Sequence, residues 1–363
     1  MAEENLKTTP LNDLHQELGA KMGGFAGFSM PLFYPLGMIK EHLHTRSSAG
    51  LFDISHMVHI EIEGDDVFQF LQKLCPLEAE SQSIGTCKYT FFLNEDAGII
   101  DDLIVTRLDE NRFRIVANAG CAEKDIAHVK AHAAAFNVSV NILERGFLAL
   151  QGPQSEDILS KVGIDASALS FMTAMETPDG WFVSRTGYTG EDGFEIALPA
   201  AETDKLARSI LSDDCAEAIG LGARDSLRLE AGLSLYGQDL LEDISPLEAG
   251  LIWAIPKPLR EGGSYKGAEK LASQIKQGRP RKRVGLKPKQ KIPVRADTTL
   301  TDSSENIIGT ITSGGFGPSL EYPVAMGLVA TDTEGHDIFA EVRGRKLEME
   351  VVKLPFTPHN YKR

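Results

Sequence analysis

"GIIDDLIV", residues 98–105, has the Ile, Leu and Val content of a buried strand yet carries two ionisable carboxylates, Asp101 and Asp102, at its centre. Successive side chains of a strand point to opposite faces, so these two cannot share one side of a sheet. A carboxylate in a dry place is costly and persists only if it is hydrogen-bonded, protonated or offered to a cationic or N–H-bearing partner. Two readings stay open on the residues alone. The segment is a hairpin with Asp residues near its turn, or it aims one carboxylate into a cavity while the other meets solvent or caps a turn.

Around this stretch the chain reads as a sheet. "MVHIEIEG" alternates strictly and ends at a Gly, and "YTFFLN" and "RFRIVANAG" are further strands set off by turn residues. Two helical stretches interleave: "DDVFQFLQKL" opens on acidic residues suited to a helix N-terminus, and "EKDIAHVKAHAAAF" has apolar residues at helical spacing. A second sheet follows in "WFVSRTGY" and "GFEIALP", joined through "TGED" as a hairpin. The stretch "IGLGARDSLRLEAGLSLYG" predicts a helix with Leu227, Ala231 and Leu235 on one face and Gly237 as its stop. Between Lys257 and Lys291 the composition turns to Lys, Arg, Gly and Pro, which predicts a linker. Short strands beyond it, among them "IIGTITSGG", "VAMGLVA", "IFAEVRG" and "KLEMEVVKLP", predict a small all-β unit.

A chain of 363 residues exceeds the size at which one core keeps growing, so two or three domains are expected. The formal net charge of −15 argues against sequence-blind attraction to nucleic acid or to an anionic membrane, since both need a positive surface. The polar, acidic start "MAEENLKTTPLND" has neither a signal-peptide core nor the Arg-rich character of a transit peptide, and no apolar run approaches bilayer length. The expected location is a bacterial cytoplasm, or the mitochondrial matrix for a processed eukaryotic protein. Cys75, Cys87, Cys121 and Cys215 are scattered without zinc spacing and read as free thiols in a reducing compartment.

Familiar catalytic signatures are missing. There is no GxxxxGK[ST] and no HExxH, "GLSLYG" has Tyr236 where a nucleophile elbow needs Gly, and "GLGARD" lacks the third Gly of a dinucleotide fingerprint. His42, His44, His56 and His59 are loosely spaced and read as satisfied or surface histidines, with no metal site. Glu195 repeats the anomaly of Asp102: it lies in "GFEIAL" on the face opposite Phe194 and Ile196, where it either meets solvent or accepts N–H groups from a ligand. Arg224 and Arg228 stand four apart on the predicted helix, a repulsive spacing that a bound anion would relieve, although Asp225 offers Arg228 a plain ion pair.

These signals sit inside a wider pattern. "LFDISHM", "GIIDDLIV", "ANAGCAEKD", "LALQGP", "RTGYTGEDGFEI", "GLGARDSLRLEAGLSLYGQDL", "SPLEAGL", "GTITSGGFGPSL" and "PFTPHNYKR" occur in the order and at about the spacing seen in the aminomethyltransferase (T-protein) family of the glycine cleavage system, which the chain resembles over essentially its whole length. The resemblance implies an α+β, three-domain, cloverleaf-like protein: two intertwined mixed α/β domains, 1–50 plus 142–256 and 51–141, a basic linker 257–280, and a C-terminal β-barrel 281–363. It implies tetrahydrofolate as co-substrate in the central opening. The family takes an aminomethyl group from the dihydrolipoyl arm of lipoylated H-protein, releases ammonia and forms 5,10-methylenetetrahydrofolate.

By the same resemblance Asp102 lies beside the reactive folate nitrogen, with Asp101 facing away. Glu195 holds the pterin edge, Arg224 lines the same cavity, Tyr361 approaches from the C-terminal domain, and Arg283 lies near the mouth of the opening. Tyr188, Tyr236 and Asn118 complete the implied folate-binding set. The basic stretch, with Arg281 and Arg283, is a candidate dock for acidic H-protein or for a folate polyglutamate tail. Two alternatives share the fold: a tetrahydrofolate-dependent demethylase with a small-molecule donor, and a non-catalytic folate-binding protein. The second type carries a K-G-C-x-x-G-Q-E motif that this sequence lacks.

Overall fold

The computed structural model describes residues 6–333 and 337–363, so the first five residues of the polar N-terminal stretch lie outside it. The strand that holds the two aspartates spans Ile99–Arg107 and sits inside an antiparallel five-stranded sheet in the order Cys87–Leu93, Ile99–Arg107, Arg112–Ala117, Val58–Glu63, Ser139–Leu143. Its side chains alternate as the pleat requires. From Asp101 onward, Asp101, Leu103 and Val105 are fully buried on one face and Asp102 and Ile104 half-buried on the other, whereas a register shift at Phe92/Leu93 puts Ile100 with the Leu103 and Val105 core and Ile99 with Phe91 and Leu93.

Each face has its own cover. Leu103 and Val105 pack under the helices Val67–Leu74 and Ala122–Ala133, in one apolar core with Phe70, Leu71, Leu74 and Val129. Ile104, on the Asp102 face, joins Phe52, Phe147, Ala149, Phe182, Ala223 and Leu227. Those residues belong largely to a second sheet, ordered Ala174–Glu176, Phe182–Ser184, Gly193–Leu198, Gly146–Gln151, Ala49–Asp53, Ala216–Ile219, of which only the last pairing is parallel. The reverse face of this sheet, with Leu148, Leu150, Phe194 and Ile196, is sealed by Ile158, Leu159, Leu206 and Ile210 from the helices Ser155–Lys161 and Ala200–Leu211. The two sheets therefore turn their inner faces towards one shared layer.

Three expectations need correction. Residues 257–280 are no bare linker: they hold the helices Lys257–Arg260 and Ala268–Gln277, because Ala268, Leu271 and Ile275 recur at helical spacing within the basic text and pack against Phe91, Leu93, Ile99 and Leu240. A helix does begin at Leu221, but it ends at Glu230, well short of Gly237. Gly232 takes a left-handed φ of +65° and the Leu233 N–H closes back on the Arg228 carbonyl, which leaves Leu235 outside the helix. Finally, strand Ala49–Asp53 straddles the boundary drawn between residues 50 and 51 and belongs whole to the six-stranded sheet.

The C-terminal strands close into a six-stranded barrel, Arg281–Pro288, Tyr322–Ala330, Ile307–Gly317, Thr299–Thr301, Ile338–Val342, Arg345–Val352, around Leu286, Leu300, Ile311, Ala325 and Leu347. Helix Leu221–Glu230 carries it. Arg228 Nη1 donates to Asp239 Oδ2 at 3.0 Å and to Ser313 Oγ of the barrel at 2.8 Å, while Glu230 accepts from Ser319 N–H at 2.8 Å. Burial pushes the Glu230 carboxyl up, but His42, Ser319 and Arg46 more than offset this and leave it at about 2.

Gly98, which enters the central strand, lies so close to the loop at Glu242 that an added Cβ would stand 1.7 Å from the Glu242 carbonyl oxygen. Gly98→Ala should therefore destabilise the protein by about 1–3 kcal/mol, since packed backbone must move. An unfolding midpoint in urea equal to that of the wild type would show that this approach is not rigid.

Candidate active site between the two sheets

The register of the hairpin Cys87–Leu93/Ile99–Arg107 places Phe91 opposite Asp102 and Tyr89 opposite Ile104, so Tyr89 shares the Asp102 face. Its hydroxyl donates to Asp102 Oδ2 at 2.9 Å. Asn118, just past the neighbouring strand, donates through Nδ2 to Asp102 Oδ1 at 3.0 Å. Burial, with the charge of Asp101 adding to it, raises the Asp102 carboxyl to about 7 despite these two donors. Asp102 thus changes charge near neutrality.

Glu195 stands on strand Gly193–Leu198, between Ser184 and Ala149, with Phe194 and Ile196 in the opposite core as expected from alternation. Thr186 Oγ1 donates to its Oε2 at 2.6 Å, and burial raises its carboxyl above the usual range against the pull of Thr186 and of Arg224. Arg224 extends from the helix, with its guanidinium 4.8 Å from the centroid of the Tyr188 ring. Its Nη1 is buried and finds no acceptor among the described residues. Tyr188 feels the charges of both Arg224 and Asp102, and it donates to the Ser234 carbonyl; Arg283 Nη1 donates to Ser234 Oγ. Desolvation lowers Arg283, against the charges of Asp239, Tyr89 and Tyr188 around it.

The fold accordingly gathers Asp102, Asn118, Glu195, Arg224, Tyr188 and Arg283 about one layer, linked through Tyr188. Two further sequence candidates make their contacts with other residues. Tyr236 meets Lys124 Nζ at 2.5 Å and points its hydroxyl to the Ile99 carbonyl at 3.3 Å, beside the end of the strand. The Tyr361 ring stacks on Phe171 with centroids 3.9 Å apart, and among the described residues no hydrogen bond or ring contact joins it to Asp102, Glu195 or Arg224. Arg283 is half-buried and Arg281 is tied to Glu248 at 2.8 Å, so neither is a free element of an exposed basic patch.

Several partners escape sequence reading. Tyr89 could be found only once the hairpin register is known. Trp253, 64% exposed, stacks on Tyr89 at 5.8 Å and forms an aromatic rim that nothing in its sequence context announces. Asp101 does not meet solvent or cap a turn; it is fully buried and accepts from the Asn118 N–H at 3.0 Å and Nδ2 at 2.9 Å. Asp125, in the first turn of helix Ala122–Ala133, looks like an ordinary helix-start acid yet is fully buried near Asp101.

Of the four histidines, His42 and His44 are satisfied as expected, whereas buried His56 leaves Nδ1, and buried His59 both ring nitrogens, without a partner among the described residues. His42 bonds Ser226 and Glu230, and His44 bonds the Cys215 carbonyl. Burial and the Arg224 charge push His56 down to about 4, and burial with Arg114 and Arg145 pushes His59 down to about 3, so both are neutral at physiological pH. All four cysteines are free. No described helix is long and apolar enough to cross a membrane.

Two half-buried acids and an underused guanidinium about a layer between two sheets make a candidate site for a ligand that offers both N–H donors and an acceptor. Residues 11–258 match the GCVT N-terminal domain and residues 281–357 match the glycine cleavage T-protein C-terminal barrel domain. The chain is 41% identical over 385 residues to the mitochondrial aminomethyltransferase of Dictyostelium discoideum, covering 100% of this chain and 95% of the relative. It is 41% identical to the mitochondrial aminomethyltransferase of Homo sapiens, covering 99% and 92%. The crystal structure of glycine cleavage system aminomethyltransferase T from Bartonella henselae superposes with a TM-score of 0.97 at 50% identity, covering 99% of this chain and 100% of that one. The chain belongs to the aminomethyltransferase (T-protein) family of the glycine cleavage system, and it is an enzyme of that class.

The two arginines of the helix have different jobs. Arg228 makes the expected pair with Asp225 but is buried, with Asp239 and Ser313 as further partners, whereas Arg224 lies on the Tyr188 ring and near the charge of Glu195, with no hydrogen bond to either among the described residues. Arg228→Met should cost about 3–5 kcal/mol, because it strands the buried Asp239 carboxylate. Arg224→Met should cost much less. Equal losses in thermal unfolding of the two variants would contradict this division.

Proposed function

We propose that the chain transfers a one-carbon unit from the aminomethyl group carried on the dihydrolipoyl arm of H-protein to tetrahydrofolate, with release of ammonia and formation of 5,10-methylenetetrahydrofolate. One observation carries the reading: Asp102 and Glu195, from different sheets, face one layer in which Arg224 has a buried N–H with no acceptor. A reduced pterin fits such a set, since its ring edge offers N–H donors to Glu195 and a carbonyl acceptor to Arg224.

Bound there, tetrahydrofolate supplies a secondary amine as nucleophile. Asp102, ionised and steadied by Tyr89 and Asn118, orients that nitrogen and stabilises positive charge developing on it. Tyr188, stacked under Arg224, keeps the guanidinium aimed at the ring. Arg283 lines the same side through Ser234. Tyr89 and Trp253 screen the reacting centre from water, so that folate nitrogen and not solvent is the nearest nucleophile. Tyr361 and Tyr236 act only at the margins, as does the basic stretch 257–291 if H-protein docks there. The family match favours this donor over the small molecules used by folate-dependent demethylases. It also favours catalysis over folate binding alone. The reaction would run in a bacterial cytoplasm or, as for the relatives named above, in mitochondria.

Ammonia release from aminomethylated H-protein, with and without tetrahydrofolate, tests the proposal. Asp102→Asn should lower folate-dependent turnover by roughly 10²–10⁴-fold while leaving the fold intact. Wild-type kcat/KM should rise with pH up to a plateau above about 7, because the ionised carboxyl is the active form and its proton leaves there. That acid limb should vanish in Asp102→Asn. Full activity of the variant, or turnover with dimethylated amines in place of H-protein, would overturn the reading.

A further inference from the structure

Behind Asp102, on the opposite face of its strand, lies a second acid that the proposed reaction does not use. Asp125 of helix Ala122–Ala133 is fully buried, and neither of its carboxyl oxygens receives a hydrogen bond among the described residues. One polar atom from each of Asp101, Cys121 and Asp125 lies within 4.8 Å of the others. Asp101 differs sharply from Asp125, since it accepts two N–H bonds from Asn118, at 3.0 and 2.9 Å.

Charge accounting decides what this means. Two buried carboxylates in contact cannot both ionise without a cation between them. The neighbouring Lys124 turns away, its Nζ bonded to Tyr236 at 2.5 Å and to Glu242 at 3.0 Å. The anion must be the member with N–H donors, and that is Asp101. The neutral acid must be the member with none, and that is Asp125. As an anion Asp125 would be orphaned, whereas protonated it is a donor with the Asp101 carboxylate in reach.

We propose that Asp125 holds a proton and shares it with Asp101, and that this acid pair, through Asn118, positions the Asp102 carboxylate. Asn118 Nδ2 spans both aspartates: it bonds Asp101 Oδ1 at 2.9 Å, Asp102 Oδ1 at 3.0 Å and the Asp102 carbonyl at 3.0 Å. The Asp125 proton quenches part of the Asp101 charge, so Asn118 need not turn wholly towards it and still reaches Asp102. Burial first, then the Asp101 charge and its hydrogen bond, raise Asp125 to about 9, with Lys124 opposing and Asp102 adding slightly. Cys121 is likewise held up as a neutral thiol by burial and by Asp101. Asp125 is on this view a positioning residue.

The inference rests on Asp102 being the catalytic carboxylate, but its primary test does not use activity. In the full-length protein at about pH 8, between the values for Asp102 and Asp125, infrared difference spectra with labelled aspartate should contain a protonated-carboxyl band that Asp125→Asn abolishes. Absence of the band, or its survival in Asp125→Asn, overturns the proposal. So does a stoichiometric divalent ion in the purified protein, which would supply between the two carboxylates the cation that Lys124 does not. With aminomethylated H-protein, Asp125→Asn keeps an N–H donor for Asp101 and should turn over within about threefold of wild type, whereas Asp125→Ala should lose about 10–100-fold in kcat. Equal activity of the alanine variant and the wild type would remove the positioning role. Wild type inactive with H-protein would instead sink the function proposed above and leave the infrared result to decide the acid pair.

Discussion

The pleat of one strand governs this site. Because adjacent side chains must part to opposite faces, Asp101 and Asp102 look into different layers, and each layer had to be furnished for a carboxylate. A single residue, Asn118, serves both. Its backbone N–H and side-chain amide satisfy Asp101 while the same amide reaches Asp102 over the edge of the strand. Slipping the register by one residue would exchange the two acids and lose both environments, so the apolar pattern of Leu103 and Val105 under the two helices holds the Asp102 face as firmly as any polar contact.

A comparable coupling acts on the other side of the layer. Arg224 and Arg228 lie one helical turn apart, and the second is clamped by Asp225, Asp239 and Ser313. That clamp joins the helix to the barrel and also fixes the rotation of the helix about its axis. Arg224 inherits its direction from it, and needs only the Tyr188 ring to complete its placement. Glu230, a half-turn further, repeats the barrel joint through Ser319 and draws in His42 and Arg46. The small C-terminal domain is in this sense part of the scaffold of the candidate site, to which its first strand contributes Arg283.

Much of this was legible in the residues. Alternation in "MVHIEIEG" and around Glu195 gave correct strands and correct faces, and the run of short strands after residue 281 became the barrel. The grouping of Asp102 with Glu195 and Arg224 was proposed from the family pattern and not from any local rule, since it depends on two sheets meeting. The failures have identifiable causes. Basic composition hid the apolar face of helix Ala268–Gln277, and a run of Leu at helical spacing disguised the left-handed turn at Gly232 that stops the helix early. Asp125 was invisible for a different reason: an acid in the first turn of a helix ordinarily faces water and favours the helix dipole, so its burial is a tertiary fact.

The ionisable groups about the layer share one property. Burial raises Asp102 and Glu195 and lowers Arg224 and Arg283, so every one is displaced towards its neutral form. Arginine nonetheless stays charged in proteins, and what the site lacks is therefore hydrogen bonds rather than protons. A ligand restores them only if a single rigid edge offers donors to Glu195 and an acceptor to Arg224 at once. Sites of this kind discriminate strongly, because an analogue missing one polar atom leaves a buried partner unpaired and is rejected by orders of magnitude, whereas one extra methylene is merely crowded. The specificity expected here is thus for the polar edge of the ring, with the shape of its apolar parts only loosely read.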